Sequence, residues 1–335
     1  MAAAQAAVAP YTGHSGAFPV TQPLSRPLPA GTKFAFLQCG TAACGLTAKL
    51  LAPAVKEVGG TLTAVSAGTT AQSMQAAVSS VLTLKPAVVV ISGIDPNVFG
   101  GALKDLSAAG IKVVTISVAR DTAPYGVTFN YIGLQTTQTA GKLMADWVIA
   151  NKGSQANVVF YGVPAIDFST KQQQAFEEEM RKNCAGCEVR AVQINVATLG
   201  TTSARTVVTD LQSHPKTDVA VFASAEVAAG LPTAMKAAGL SVTTLGYAPQ
   251  PGGLQDIKDG GMTAGLAVDF PIAVWAAVDA SARLVEGDQP TASEQAGEVP
   301  LQLLGQQDIT FDPSRGWSAY PDYQQRFATL WHPAG

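Results

Sequence analysis

The chain has 335 residues, 47% of them apolar, which is enough to form the cores of about two domains. Only 13% of the residues are charged and the formal net charge is −3, so no basic face is available to neutralise a nucleic-acid backbone. No run of 18 or more apolar residues appears, which argues against a membrane-spanning helix.

Residues 1–31 are rich in Ala, Pro, Ser and Thr and show no periodicity, a composition typical of a disordered or extended N-terminal tether. The opening MAAAQAAVAP lacks the basic and apolar regions of a signal peptide. Such a tether fits an exported protein in which Met1 replaces a signal or lipid-anchor segment. It equally fits a plain disordered tail, and the sequence leaves both interpretations open.

From residue 34, short apolar runs alternate with longer amphipathic ones. The first series of predicted strands is FAFLQC, TLTAV, AVVVIS and KVVTISV. Continuous Val, Ile and Leu runs indicate strands that are buried on both faces of a parallel sheet. Between the second and third strands, AQSMQAAVSSVLTL carries apolar residues three and four positions apart, as one face of a helix does.

The same alternation restarts after about residue 135. Its predicted strands are NVVFYG, VRAVQINV, DVAVFAS and VTTLGYA, with helices between them. A helix PIAVWAAVDASARLVEG and a strand VPLQLL follow, and the chain ends in an aromatic, Pro-rich segment. This βαβ repetition predicts two successive α/β lobes, each with a parallel sheet.

The four cysteines form two local pairs, Cys39 with Cys44 and Cys184 with Cys187. Structural disulfides are the favoured interpretation, and they would place the protein outside the cytoplasm. Free buried thiols, or metal or redox chemistry, are the alternatives. A zinc site would need further ligands, and the three histidines are scattered along the chain.

The motifs of common catalytic and nucleotide-binding sites are absent. The sequence contains no G-x-G-x-x-G after a strand, no G-x-x-x-x-G-K-[ST] and no G-x-S-x-G elbow. His214 precedes a proline at a predicted helix end, which favours a surface position over a catalytic one. The sequence therefore predicts no catalytic residue, no metal and no cofactor.

The order of elements resembles the type I periplasmic binding proteins, and most of all the ribose-type solute receptors of ABC importers. The segments that carry the resemblance are KPAVVVISGIDPNVFGGALKDLSAAGIKVVTIS, YIGLQTTQTAGKLMADWV, DVAVFASAEVAAGLPTAMKAAGL and LGYAPQPGGLQDIKDGGMTAGLAVDFP. The resemblance covers roughly residues 32–305. LacI-type repressors share this fold, but no DNA-reading helix-turn-helix precedes residue 32.

The resemblance implies two Rossmann-like lobes joined by three hinge crossings, near residues 133–136, 267–271 and 299–304. The ligand then sits in a cleft between the lobes, at the C-terminal ends of the strands, and closure is a hinge motion. The implied divisions are an N-terminal lobe (32–134 and 271–299), a C-terminal lobe (135–268 and 300–312) and a C-terminal strap (313–335).

The resemblance also implies that the loop CGTAAC, after the first strand, contributes Cys39 and Thr41 to the ligand site. The sugar receptors of this family bind the hydroxyl groups of the sugar with charged and amide side chains, in particular an Asp-Arg pair after the fourth strand. The matching positions in this chain are Ser117 and Val118, Thr170, Ala225 and Glu226, Ala248 and Asp269.

Most charged sugar contacts are therefore missing from the matched positions. Because each such contact contributes about 1.5–3 kcal/mol, this pattern predicts a ligand less polar than a simple sugar. The candidate walls of the site are Phe168, Tyr247 and Pro249, and the candidate polar groups are Ser117, Thr170, Glu226 and Asp269. The alternative interpretation makes Phe168 and Tyr247 core residues and Glu226 a helix cap.

The resulting functional prediction is an extracytoplasmic receptor, without catalysis, that delivers a small organic ligand to an ABC transporter permease. It is expected to be a monomer that meets the membrane only through a lipid anchor, if it has one. A sugar receptor, or a sensor module that presents its ligand to a signalling receptor, are the alternatives.

Overall fold

The computed structural model describes residues 1–13, 17–39, 42–68, 70–99 and 101–332. The strands are β1 (Lys33–Gln38), β2 (Thr61–Ser66), β3 (Val88–Ser92), β4 (Lys112–Ile116), β5 (Phe129–Tyr131), β6 (Asn157–Gly162), β7 (Glu188–Gln193), β8 (Val219–Phe222), β9 (Thr243–Tyr247), β10 (Ala264–Val268) and β11 (Leu301–Leu304). The α-helices are α1 (Ala2–Val8), α2 (Ala42–Glu57), α3 (Ala71–Leu84), α4 (Ala102–Ala108), α5 (Leu134–Lys152), α6 (Asp167–Asn183), α7 (Ser203–Ser213), α8 (Leu231–Ala237), α9 (Pro251–Lys258), α10 (Phe270–Glu286), α11 (Ala292–Gln295) and α12 (Tyr323–Trp331).

The chain divides into two compact units, each built on one sheet. The β1–β5 unit comprises Ala17–Thr136, Phe270–Val299 and Tyr320–Gly335, and the β6–β11 unit comprises Met1–Gly16, Thr137–Asp269 and Pro300–Ala319. Among the described residues, no helix is long and apolar enough to cross a membrane.

The sheet of the β1–β5 unit has the strand order β2-β1-β3-β4-β5, and all its neighbouring strands run parallel. Its central strands are fully buried because helices cover both faces, and Val88 to Ile91 are each 0% exposed. Helix α10 packs against α2 and β4. Every residue from Pro271 to Arg283 is buried, so α10 is enclosed on all sides.

The sheet of the β6–β11 unit has the order β11-β10-β9-β8-β6-β7, and only the β10–β11 pair is antiparallel. The continuous apolar run of β8, Val219 to Phe222, lies at its centre and is fully buried. Two α/β units with mostly parallel sheets confirm the fold class that the apolar periodicity predicts.

The terminal segments contain more ordered structure than the tether predicted for residues 1–31. Ala2–Val8 is helical, because an Ala-rich segment has the highest intrinsic helix propensity, and Ala4 and Val8 are buried. Residues 17–31 are irregular, but they bury Phe18, Val20, Leu24 and Leu28. The segment predicted as one strap is divided between the units, since residues up to 319 belong to the β6–β11 unit and α12 belongs to the β1–β5 unit.

One buried carboxyl of α5 makes the stability of the β6–β11 unit dependent on pH. Asp146 is 7% exposed, and burial, with the nearby Glu179, raises its pKa to about 6, although Lys182 acts in the opposite direction. A carboxyl whose folded-state pKa lies above its unfolded value binds its proton more tightly in the folded state. Its unfavourable effect on stability therefore grows as pH rises from about 4 to about 6.

We expect Asp146→Asn to raise the free energy of unfolding by about 1–3 kcal/mol at pH 7 and to change it little at pH 4. Denaturant unfolding at both pH values measures this difference. The exposed Asp105 of α4 offers a control, because Asp105→Asn is expected to stay within about 0.5 kcal/mol at either pH. Equal effects of Asp146→Asn at the two pH values would contradict the prediction.

Candidate functional site

The loop after β4 lies at the carboxyl edge of the first sheet and has a fixed backbone. Ser117 has a φ of 61°, in the left-handed region, and its amide donates to Tyr131 O at 2.8 Å. The Asn130 side chain also holds this loop in place. Its Oδ1 accepts from Thr115 Oγ1 at 2.8 Å, and its Nδ2 donates to Val118 O at 2.9 Å. The Ser117 side chain is half-buried at this edge.

A charged pair lies near Ser117 along the same edge. Arg120, after β4, contacts Asp95, after β3, with 2.9 Å between Nη2 and Oδ2. Asp95 also accepts from the Asn97 amide at 2.8 Å, which fixes its carboxylate. Both charged side chains are about 30% exposed and so remain accessible to solvent.

Sequence reasoning missed Asp95 and Arg120, because it looked for the charged pair at Ser117 and Val118. A charged pair is therefore present at this edge, although the matched positions Ser117 and Val118 are uncharged. The sequence does contain one indication of both residues, because each lies within a few residues of the end of a buried parallel strand. In open α/β sheets the residues after such strand ends form the ligand site.

Both cysteine pairs are disulfides, which confirms the favoured interpretation of the sequence. Cys39 and Cys44 join the end of β1 to the first turn of α2, with 5.6 Å between their Cα atoms. Cys184 and Cys187 join the end of α6 to the approach to β7. Cys39 is half-buried at the carboxyl edge of the first sheet, and Thr41 lies outside the described residues. Within the described part of the chain, no group of three or more His, Cys, Asp or Glu is arranged to hold a metal ion.

An aromatic pair lies at the carboxyl edge of the second sheet. Phe168, in the first turn of α6, meets Tyr247, the last residue of β9, edge to face with 5.6 Å between ring centroids. Tyr247 is 5% exposed and burial raises the pKa of its hydroxyl, whereas Phe168 is half-buried. Thr170, two residues along α6, is exposed. The sequence-predicted residues Phe168, Thr170 and Tyr247 thus lie at one edge of one sheet.

The loop after β9 repeats the geometry seen after β4. Ala248 has a φ of 51°, and its amide donates to Leu266 O at 2.8 Å. The next residue, Pro249, is buried against β10, since a Cβ on Gly265 would lie 2.8 Å from Pro249 Cγ. The contacts of Pro249 therefore favour a packing role over the predicted ligand wall.

Glu226 belongs to a 3-10 helix, Ala225–Ala228, that follows β8. The Ser224 hydroxyl accepts from the Glu226 amide at 3.3 Å, so Ser224 and not Glu226 caps this helix. The Glu226 side chain is half-buried near the carboxyl end of β8. This position keeps it among the candidate polar groups.

Asp269 follows β10 and is 0% exposed. Its Oδ2 accepts from Ser318 Oγ at 2.8 Å and from the Ala319 amide at 2.7 Å, and its own amide donates to Pro300 O at 2.9 Å. A carboxylate held in this way fastens residues 318–319 to the β6–β11 unit. The contacts of Asp269 favour this structural role over the predicted ligand contact.

A family model described as a periplasmic binding protein domain matches residues 47–289. No curated protein matches the chain. Among solved structures, a 5-methylthioribose transporter solute-binding protein from Thermotoga lettingae, in complex with 5-methylthioribose, is 18% identical, with a TM-score of 0.75 over 92% of this chain and 99% of that one. Similarity at this level of identity establishes the fold alone.

Two further solved structures are similar over most of the chain. A solute-binding protein from Agrobacterium vitis with bound allitol is 20% identical, with a TM-score of 0.71 over 83% of this chain and 96% of that one. The Caulobacter myo-inositol binding protein, bound to myo-inositol, is 17% identical, with a TM-score of 0.71 over 85% and 97%.

Proposed function

This chain belongs to the periplasmic binding protein domain family, and from that premise we propose that it is the receptor of an ABC importer for a small organic solute. The family match confirms the resemblance seen in the sequence. The chain is a solute-binding protein and not an enzyme, and its family acts outside the cytoplasm. Delivery of the solute to a permease and action as a monomer are parts of this proposal, and a lipid anchor stays a prediction.

The observation that supports a receptor most directly is that each unit carries candidate binding side chains at the carboxyl edge of its own sheet, the place where open α/β sheets bind ligands. One unit presents Asp95, Arg120 and the Ser117 hydroxyl, and the other presents Phe168 and Tyr247. Polar and aromatic side chains of these two kinds are the ones that small-molecule sites use.

We propose that the ligand is a hydroxylated molecule with an apolar substituent. Asp95 and Arg120 suit ligand hydroxyls, because hydrogen bonds with one charged partner are about twice as strong as neutral ones. The Phe168 and Tyr247 rings suit an apolar group, which gains from leaving water. A ligand of this kind is less polar than a simple sugar, and 5-methylthioribose belongs to the class.

Thermal unfolding of the purified protein with 5-methylthioribose, myo-inositol, allitol and D-allose tests the proposal. A ligand at 100 times its dissociation constant stabilises the folded state by about 2.7 kcal/mol. We expect the largest rise in Tm with 5-methylthioribose. A rise with the polyols or D-allose alone would contradict the apolar part of the proposal, and no rise with any of the four would contradict the ligand class.

A pair of variants separates ligand contact from general stability. Phe168→Ala is expected to reduce the 5-methylthioribose shift to less than half. Phe311→Ala removes another half-buried phenylalanine of the same unit, one that packs against the core, and is expected to leave the ligand shift unchanged. If both variants reduce the 5-methylthioribose-induced rise in Tm equally, the effect is not specific to Phe168. The aromatic pair would then no longer support the proposal.

A further inference from the structure

Three buried charged residues of the β1–β5 unit form one cluster, which we call the acid cluster. Asp279 and Arg283 lie one turn apart on α10, and Glu294 belongs to α11. Asp279 and Glu294 are each 0% exposed, and Arg283 is 5% exposed. The acid cluster therefore holds two carboxyl groups and one guanidinium away from bulk water.

Asp279 is held as a carboxylate is held. Arg283 Nε donates to its Oδ2 at 2.6 Å, and Trp331 Nε1 of α12 donates to its Oδ1 at 2.6 Å. Because both oxygens accept from a donor, these contacts favour the ionised form of Asp279. The charge of Arg283 is thereby compensated within α10.

Glu294 has fewer donors. Its Oε2 accepts from the Thr291 amide at 2.6 Å, in the capping box of α11, and lies 3.7 Å from Arg283 Nε. Its Oε1 is buried, and no donor reaches it among the described residues. The Glu294 and Asp279 side chains are also close enough to share a hydrogen bond. Two ionised carboxylates cannot form such a bond, because neither has a proton to donate.

The number of charges in the acid cluster leads to the same conclusion. Among the described residues, Arg283 is the only cation paired with either carboxyl. If both carboxyls were ionised, one negative charge would remain uncompensated in the interior, which is strongly unfavourable. One bound proton makes the cluster neutral. In agreement, burial and the charge of Asp279 raise the pKa of Glu294 to about 8.

The other charged groups around the acid cluster are not buried. On the N-terminal segment, α10, its connection to α11, and α12 they are Arg26, Glu286, Asp288 and Arg326, and on α2 they are Lys49, Lys56 and Glu57. Arg26 pairs with Glu286, and Arg326 pairs with Asp322. Asp279 and Arg283 are therefore the charges that act directly on Glu294.

The acid cluster also fastens residues 19–24 to the unit. The Arg283 guanidinium donates to Gln22 O and Pro23 O, and Ser293 Oγ of α11 donates to Pro19 O. An ionised Glu294 would compete with the two carbonyl groups for the Arg283 donors and would favour the entry of water. Loss of the proton therefore weakens the contacts that hold residues 19–24.

We infer that the acid cluster binds one proton at neutral pH, between Glu294 and Asp279, and that this proton holds residues 19–24 against α10. Glu294 has a higher pKa in the closed form than when it is exposed, so the closed form binds the proton more tightly. The open form therefore gains population as pH rises from about 4.5 to about 8, and the ratio changes little above that range. The terminal segment is then a pH-sensitive latch that opens in alkaline surroundings.

Hydrogen exchange at Leu24 reports the state of the latch, because its amide donates to Leu330 O of α12 at 3.0 Å. Mass spectrometry of a peptide containing Leu24 measures its protection at pH 6 and pH 8, corrected for the intrinsic pH dependence of exchange. We expect protection to fall by about tenfold or more in the parent protein and by less than about twofold in Glu294→Gln.

Two further variants sharpen this test. Asp279→Asn leaves Glu294 as the partner of Arg283, so Glu294 is ionised at both pH values, and the protection of Leu24 is again expected to change by less than about twofold. Glu298→Gln alters an exposed glutamate of the same unit and is expected to behave as the parent protein does.

Infrared spectroscopy detects the proton itself. At pH 6 the difference spectrum between the parent protein and Glu294→Gln is expected to contain the carbonyl band of a protonated carboxylic acid, which Glu298→Gln retains. Absence of this band would overturn the inference. So would Leu24 protection that is equal at the two pH values in the parent protein, or a fall in Glu294→Gln as large as in the parent. If Glu294→Gln does not fold, hydrogen exchange in the parent protein and in Asp279→Asn decides.

Discussion

Replacing Arg283 by methionine is expected to lower the free energy of unfolding by about 3–5 kcal/mol, because it leaves a buried carboxylate without its counter-ion. Arg283 Nε donates to Asp279 Oδ2 at 2.6 Å, and the two side chains are 6% and 0% exposed. Glu294 Oε2 lies 3.7 Å from the same nitrogen. Burial and the nearby Asp279 raise the pKa of Glu294, so the carboxylate of Asp279 is the main partner of the guanidinium.

A second Asp–Arg pair of the same spacing provides the control. Arg326 Nε donates to Asp322 at 2.9 Å, but these side chains are 44% and 53% exposed. Arg326→Met is expected to cost about 1 kcal/mol, from a screened ion pair and the contacts of its guanidinium over the Phe18 and Tyr320 rings. Chemical denaturation at pH 7 measures both. A loss in Arg283→Met no larger than in Arg326→Met would show that the buried cluster contributes little.

Gly141→Ala is expected to destabilise the protein by about 2–3 kcal/mol and to weaken ligand binding. A Cβ at this position of α5 would lie 2.4 Å from Gln172 O and 2.9 Å from Ala175 Cβ, both on α6. The first contact is with backbone, so α6 itself must move. Because the first turn of α6 carries Phe168 and Thr170, that movement reaches the proposed ligand site.

Gly252 of α9 is the matched control for Gly141, since it is also a helical glycine of the β6–β11 unit. A Cβ on Gly252 would meet nothing within 4 Å. Gly252→Ala is therefore expected to be neutral or to stabilise by up to about 1 kcal/mol through helix propensity. Thermal and denaturant unfolding compare the two variants. If both raise stability, α5 and α6 pack less closely than the structure indicates.

Residues whose contacts depend on the paths of loops are the ones that the sequence predicts least well. The resemblance predicts Ser117 but neither Arg120 nor its partner Asp95, because no local pattern indicates that the loops after β3 and β4 bring them together. The resemblance to the sugar receptors predicts Asp269 as a ligand contact. Its contacts with residues 318 and 319 come from a distant segment that periodicity cannot place.

The sequence by itself determined the α/β class and the two-unit organisation and favoured the local cysteine pairing, and the family resemblance placed Phe168, Thr170 and Tyr247 near strand ends. The class and the organisation follow from short-range rules, because a strand buried on both faces must be continuously apolar and residues after parallel strands share one edge. Tertiary structure alone decided the Asp95–Arg120 pair, the burial of Pro249 and Asp269, and the division of both termini between the units. Each of these depends on contacts between residues far apart in the chain, which local composition does not specify.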